Sequence, residues 1–318
     1  MNALFRRALL GLLVSLTLLS APATAAEVLR IGYQKYGTLV LLKARGTLEA
    51  QLRGQGVEVR WVEFPGGPQL LEGLNVGSID FGVAGETPPV FAQAAGADLV
   101  YVASEPPAPA GEAIVVRRDS PIRDVAALKG RKVALNKGSN VHYLLLRALQ
   151  EAGLRYADIQ PVYLAPADAR AAFERGSVDA WVIWDPYLAA AQQQLQARVL
   201  RDGRGLVDNN QFYLASRAYA QRYPQRIATL VEAIRAAGAW ARANPAEVAR
   251  QTAPLLGLAP PIVETAVRRQ GFGAAFITPQ VVAAQQRIAD AFAREKLIPR
   301  PLKVAQAVWT PPAQAAGR

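Results

Sequence analysis

The side chains able to do chemistry in this sequence are few, and their placement says more than their number. Thr38, Thr87 and Ser139 each stand near the start of an expected helix or turn. There, unpaired backbone N–H groups point outward and a hydroxyl adds a further donor. Several such donors meeting in one cleft would form a receptor for a small anion, although simple helix capping accounts for each residue taken singly. Gly138, ahead of Ser139 and Asn140, would let backbone approach a ligand closely, and is equally an ordinary turn glycine. Lys35 and Lys137 would add positive potential or merely solubilise the surface. Glu86 and Asp185 occupy corresponding places in two halves of the chain. A paired-carboxylate mechanism would need a fixed separation with a nucleophile and base beside them, and the sequence supplies neither. As parts of a binding site they would orient donors or repel more highly charged anions; as turn residues they would simply cap. Trp184 would wall an organic substituent, or belong to the core with Trp181, Val182 and Ile183.

Other chemistries are closed off by composition. The chain has no cysteine and one histidine, His142, so thiol nucleophiles, disulfide frameworks and metal sites needing two imidazoles are excluded. His142 falls in the first turn of a helix and reads as a packing or surface residue. The 318 residues, 51% of them hydrophobic, can bury a large core in one or two domains. Lys and Arg exceed Asp and Glu by 11, but they are scattered singly or in pairs such as Arg117-Arg118. No basic stripe interleaved with aromatics forms, so nucleic acid is not an expected partner. At the N-terminus Arg6 and Arg7 precede an apolar run from Ala8 to Leu19, and Ala23-Thr24-Ala25 has the small-residue pattern of a cleavage site. Residues 1–25 therefore read as a cleaved signal peptide for ordinary secretion, giving an exported mature chain. The run is shorter than the roughly 20 residues a membrane-spanning helix needs.

The elements that must position these residues follow one plan, used twice. Strands at Val28 to Tyr33, Val57 to Glu63 and Ile79 to Ala84 alternate with helices at Thr38 to Leu52 and from Pro68 onward. The same order returns with strands at Lys132 to Asn136, Ile159 to Leu164 and Val178 to Ile183, and helices at Ser139 to Ala152 and around Asp168 to Arg175. Gly77-Ser78-Ile79-Asp80 and Gly176-Ser177-Val178-Asp179 punctuate the two copies alike. Alternation of this kind calls for parallel sheets with right-handed crossovers, hence two α/β lobes of similar build. The Pro-rich stretch from Glu105 to Gly111 and the polar break from Gly203 to Asn210 read as connections between lobes, and the later helices as completing the first. Ligands in open α/β sheets bind outside the carboxyl ends of the strands. The candidate segments are thus Gln34 to Thr38, Gly85 to Thr87, Asn136 to Asn140 and Trp184 to Pro186, presented by both lobes to a shared cleft.

Five long stretches then carry a resemblance: IGYQKYGTLVLLKARGTLE, FPGGPQLLEGLNVGSIDFGVAGETPPVFAQAAGAD, EPPAPAGEAIVV, LKGRKVALNKGSNVHYLLLRAL and PADARAAFERGSVDAWVIWDPY. Together with QGFGAAFITPQVVAAQQRIAD, they closely resemble periplasmic aliphatic sulfonate-binding proteins of ABC importers, over essentially the whole mature chain. The resemblance implies a type II periplasmic binding-protein fold, with residues 26–108 and 212–318 as lobe I, 109–211 as lobe II, and a two-segment hinge. It also implies a monomer that captures an alkanesulfonate and delivers it to an inner-membrane permease with its ATPase, with no cofactor, no metal and no catalytic residue. The residues it places around the ligand are Gln34, Thr38, Gly85, Glu86, Thr87, Ser139, Asn140, Trp184 and Asp185. Related receptors for taurine, nitrate, sulfate or a thiamine precursor share the fold, and an enzyme on it is the remaining alternative.

Overall fold

Buried strands that feed amphipathic helices pair in parallel, and this chain does so in two separate sheets. The computed structural model describes residues 27–311; the signal peptide expected over residues 1–25 lies outside the described residues. Four strands open the chain: β1 (Glu27–Tyr33), β2 (Val57–Glu63), β3 (Phe81–Gly85) and β4 (Leu99–Ser104). The chain then crosses to a second set, β5 (Glu112–Val116), β6 (Lys132–Leu135), β7 (Gln160–Tyr163), β8 (Ala180–Trp184) and β9 (Arg198–Asp202). It returns as β10 (Gln211–Ser216) and adds the short β11 (Ala275–Phe276). The spatial orders are β11-β4-β10-β3-β1-β2 and β7-β6-β8-β5-β9. In each sheet the first strand of the copy lies between the second and third, all parallel. Each sheet is then completed by the strand that has just crossed from the other: β10 lies antiparallel between β3 and β4, and β5 antiparallel between β8 and β9. The result is two mixed α/β lobes of one design that exchange a strand at the double crossing.

The repeated Gly-Ser-apolar-Asp motif is the same device in both lobes. Gly77 and Gly176 each take φ 72, a left-handed conformation that ends the preceding helix and that only glycine adopts at no steric cost. Asp80 then bonds its backbone N–H to the Arg30 carbonyl at 2.8 Å and accepts the Arg30 N–H on its carboxylate, also at 2.8 Å. Asp179 makes the same pair with Lys132, at 2.8 Å each way. In both copies the aspartate locks the third strand to the first.

One predicted helix divides. The span from Thr38 to Leu52 forms Thr38–Arg45 and Thr47–Arg53, because Gly46 turns left-handed at φ 64 and closes the first with a 3.0 Å bond to the Leu42 carbonyl. The helices that follow β10 cover the first sheet. Ile227, Leu230, Val231 and Ile234 of the helix Pro224–Ala243 join Leu29, Ile31, Leu39 and Leu41 in one apolar cluster. Each such side chain contributes about 1.5–3 kcal/mol on full burial. The helix Pro279–Arg294 packs Ile288 and Phe292 with Leu70, Val90 and Leu99 on the opposite face.

The lobes touch. Ala189 and Ala190 of the helix Tyr187–Gln194 share a buried cluster with Ile262 and Ala266 of the helix Pro260–Val267. Elsewhere on the interface the His142 ring lies 5.9 Å from that of Phe91 and 5.3 Å from that of Phe292.

Candidate functional site

The ends of β1 and β3 in one lobe, and of β6 and β8 in the other, meet around a small inter-lobe cavity. Gln34 and Gly85 line it from the first lobe; Ser139, Asn140 and Trp184 line it from the second. About 30 Å³ of space remains at its centre, against the roughly 10–15 Å³ that one water needs on the same measure. The space suits a compact head group.

Asn140 is the pivot of this geometry. Its Oδ1 accepts the Thr87 N–H at 3.2 Å, and its Nδ2 donates to Asn209 Oδ1 at 2.6 Å. Thr87 opens the helix Thr87–Ala94, whose first turn holds Pro88 and Pro89. Prolines are tolerated there because first-turn N–H groups have no intrahelical partner. The Thr87 N–H is one of those donors without an intrahelical partner, and Asn140 Oδ1 takes it up from the other lobe. Its hydroxyl Oγ1 is buried without a partner. Ser139, at the start of the helix Asn140–Glu151, is buried and donates its hydroxyl to the Asn136 carbonyl at 2.7 Å. Gln34 is held by a 2.9 Å bond from its Nε2 to the Val83 carbonyl, which leaves its Oε1 and second amide hydrogen for other partners.

Four of the nine expected residues do not line the cavity: Thr87, which meets it through Asn140, and three that stand behind its wall. Thr38 donates its hydroxyl to Glu105 Oε1 at 2.6 Å and does not line the space. Glu86 is fully buried; one carboxylate oxygen accepts the Asn210 N–H at 2.8 Å, and the other has no partner. Asp185 accepts the Ala189 N–H at 3.0 Å, capping the helix below it, and faces Arg269 at 3.5 Å. The two lysines also turn away. Lys35 lies 3.8 Å from Glu63, and Lys137 sits 5.3 Å above the Tyr163 ring.

No Lys, Arg, Asp or Glu lines the cavity among the described residues. The acidic groups behind it are held toward their neutral forms. Burial pushes the Glu86 and Glu105 carboxyls each up to about 7 and that of Asp185 up to about 6. Glu112 is driven well up by burial and by the charge of Glu86. The wall therefore presents less negative potential to an anion than four full carboxylates would. His142 is enclosed by the rings of Phe91, Tyr156 and Phe292, and its Nδ1 accepts the Gly138 N–H at 3.2 Å. Burial lowers its pKa to about 4, so it is a neutral packing residue.

Sequence reasoning missed part of the lining. Tyr36 lies inside a segment singled out by its place after β1, but no signal set it apart from its neighbours. Asn209 and Gln211 come from the returning crossing. The one cue for them is Asn209-Asn210-Gln211, three uncharged amides in a row at the mouth of an apolar strand, all of them buried.

Comparison with known proteins agrees with this architecture. Residues 52–248 match the family model described as NMT1/THI5 like. A protein of Escherichia coli K12 described as an aliphatic sulfonates-binding protein is 46% identical over 98% of each chain. Among solved structures, the alkanesulfonate-binding protein SsuA of Xanthomonas axonopodis pv. citri, bound to MOPS, superposes with a TM-score of 0.85 at 46% identity. That match covers 90% of this chain and 99% of the other. The periplasmic aliphatic sulphonate binding protein of Escherichia coli superposes at 0.80 with 47% identity, covering 90% and 93%.

Proposed function

This chain belongs to the aliphatic sulfonate-binding proteins of the NMT1/THI5-like family, and on that footing we propose that it is the periplasmic receptor of an ABC importer for alkanesulfonates. It captures the ligand between its lobes and hands it to the membrane permease for sulfur acquisition. The proposal includes export by removal of residues 1–25, action as a monomer, and a hinge at the two crossings dividing lobe I (26–108 and 212–318) from lobe II (109–211).

The observation that carries the reading is an inter-lobe cavity lined by amides and hydroxyls and by no charged side chain, with the Thr87 N–H beside it on Asn140 Oδ1. A sulfonate head has three acceptor oxygens and no proton at physiological pH, so the site owes it donors only. The donors proposed are the Thr87 N–H, the Gln34 and Asn140 amides and the Ser139 hydroxyl, with Gly85 giving close approach and Trp184 walling the organic part. Thr38, Glu86 and Asp185 act from behind the wall, fixing Glu105, the returning crossing and the Ala189 helix. Hydrogen bonds to a charged group contribute about 1.5–3 kcal/mol each. Three or four of them, less the costs of immobilisation, are compatible with micromolar binding near −8 kcal/mol. Nothing in this account transforms the ligand.

Thermal melting of the mature protein against linear alkanesulfonates, taurine, sulfate and nitrate tests the proposal. A linear alkanesulfonate at a hundredfold excess over its Kd should stabilise by about 2.7 kcal/mol, with a smaller shift in Ser139→Ala. A panel whose alkanesulfonates leave Tm unmoved rejects the ligand class, and release of sulfite on incubation rejects the receptor reading.

A further inference from the structure

A second and larger inter-lobe cavity, about 550 Å³, opens beside the hinge between the helices Asn140–Glu151 and Pro279–Arg294. Its volume falls in the range of small-molecule sites, roughly 300–1,000 Å³. Arg147 reaches it from the second lobe, and Arg287 and Arg294 from the first. Half of the arginines among the described residues have a carboxylate partner, as Arg30 has Asp80, Arg201 has Glu151 and Arg226 has Glu27. Among the described residues these three guanidinium groups make no hydrogen bond or ion pair, and Arg147 Nε is buried without a partner. A buried donor left unpaired is costly. That cost falls on Arg147; Arg287 and Arg294 are exposed and stand beside it in the wall of the same cavity, so the three cations from two lobes face one space.

The acidic groups at the cavity do not neutralise them. Asp290 accepts a 2.9 Å bond from Gln286, Asp208 lies beyond ion-pair distance of the arginines, and Glu86 is held toward its neutral form by burial. Guanidinium groups present paired N–H donors that match the oxygens of phosphate, sulfate and carboxylate groups two at a time. We propose that this cavity is a second ligand site, taking a small anion with at least two negative charges, clamped by Arg147 of one lobe and by Arg287 and Arg294 of the other. Its chemistry differs from that of the first cavity, where no charged side chain lines the space. An occupant bridges the lobes at the hinge side and so holds them together. Glu86 on its wall is adjacent in sequence to Thr87, which places the two sites back to back.

Calorimetric titration with inorganic pyrophosphate at constant ionic strength, with and without saturating butanesulfonate, tests the assignment. One pyrophosphate should bind per chain without displacing the sulfonate. Arg147→Ala and Arg287→Ala should each weaken it at least tenfold while sulfonate titration is retained. Absence of pyrophosphate binding, unchanged affinity in both variants, or one-for-one displacement by butanesulfonate would overturn the proposal. A failure of the sulfonate reading is seen separately, as no heat from butanesulfonate with the unmodified protein.

Discussion

Asn140 ties three parts of the chain together with one side-chain amide, joining the second lobe to Thr87 of the first and to Asn209 of the returning crossing. It can do so because Gly85 has no side chain: a Cβ there would overlap the Asn140 amide. Gly85→Ala should therefore lower alkanesulfonate affinity at least tenfold, about 1.4 kcal/mol, while costing the lobe itself little. Titration paired with melting of the unliganded protein checks this, and unaltered affinity would remove Asn140 from the site. Asn140, Ser139, Gly85, Gln34 and Trp184 were legible in the sequence because each ends or follows a strand whose end faces the cleft. Thr38, Glu86 and Asp185 follow the same strands, yet their side chains turn to Glu105, Asn210 and Ala189. Hydrophobic period fixes where a strand ends; it does not fix where the next loop aims its side chains. Tyr36 escaped for the same reason.

At the scale of elements, the repeat was readable because glycine at a helix end and aspartate at a strand start are both dictated by backbone chemistry. The strands β4, β5, β9 and β10 were harder. β4 is buried throughout and shows no alternation, and β9 is the charged run RVLRD. β5 opens on a buried glutamate, Glu112, directly after the Pro-rich stretch. The exchange of β5 and β10 between sheets is a tertiary event that leaves no local pattern. The aspartates of the repeat allow an internal comparison. Asp80 holds the Arg30 backbone and also its guanidinium, at 2.6 Å, whereas Asp179 holds only the Lys132 backbone. With bonds to a charged acceptor contributing about 1.5–3 kcal/mol, Asp80→Ala should cost about 3 kcal/mol in urea unfolding and Asp179→Ala about half that. The reverse ranking would mean that the shared punctuation does not share a mechanical role.

For the whole molecule, two lobes with a cleft between them followed from the repeat, but the closure seen here did not. The surfaces that close are written in small residues. Within the helix Tyr187–Gln194, Leu188 packs into its own lobe while Ala189 and Ala190 meet Ile262 and Ala266 of the other. In a sequence such alanines read as helix propensity rather than contact. Polar groups flank this patch: Arg269 donates to Gln192 at 2.8 Å and faces Asp185 at 3.5 Å, and Gln193 donates to Thr265 at 2.9 Å. Ile262 is buried chiefly by this inter-lobe cluster, so Ile262→Glu would set a carboxylate against apolar surface in the closed form and in water in the open one. Burying an unpaired charge costs several kcal/mol, so the population able to hold ligand falls, and apparent affinity falls with that fraction. The expected result is at least a tenfold rise in Kd for an alkanesulfonate, with a larger radius of gyration by small-angle scattering at sub-saturating ligand and little change in the melting of the separate lobes. If Kd and radius both match the unmodified protein, the alanine patch contributes nothing to closure, and the work of holding the lobes passes to Asn140 and to the Phe91, His142 and Phe292 rings.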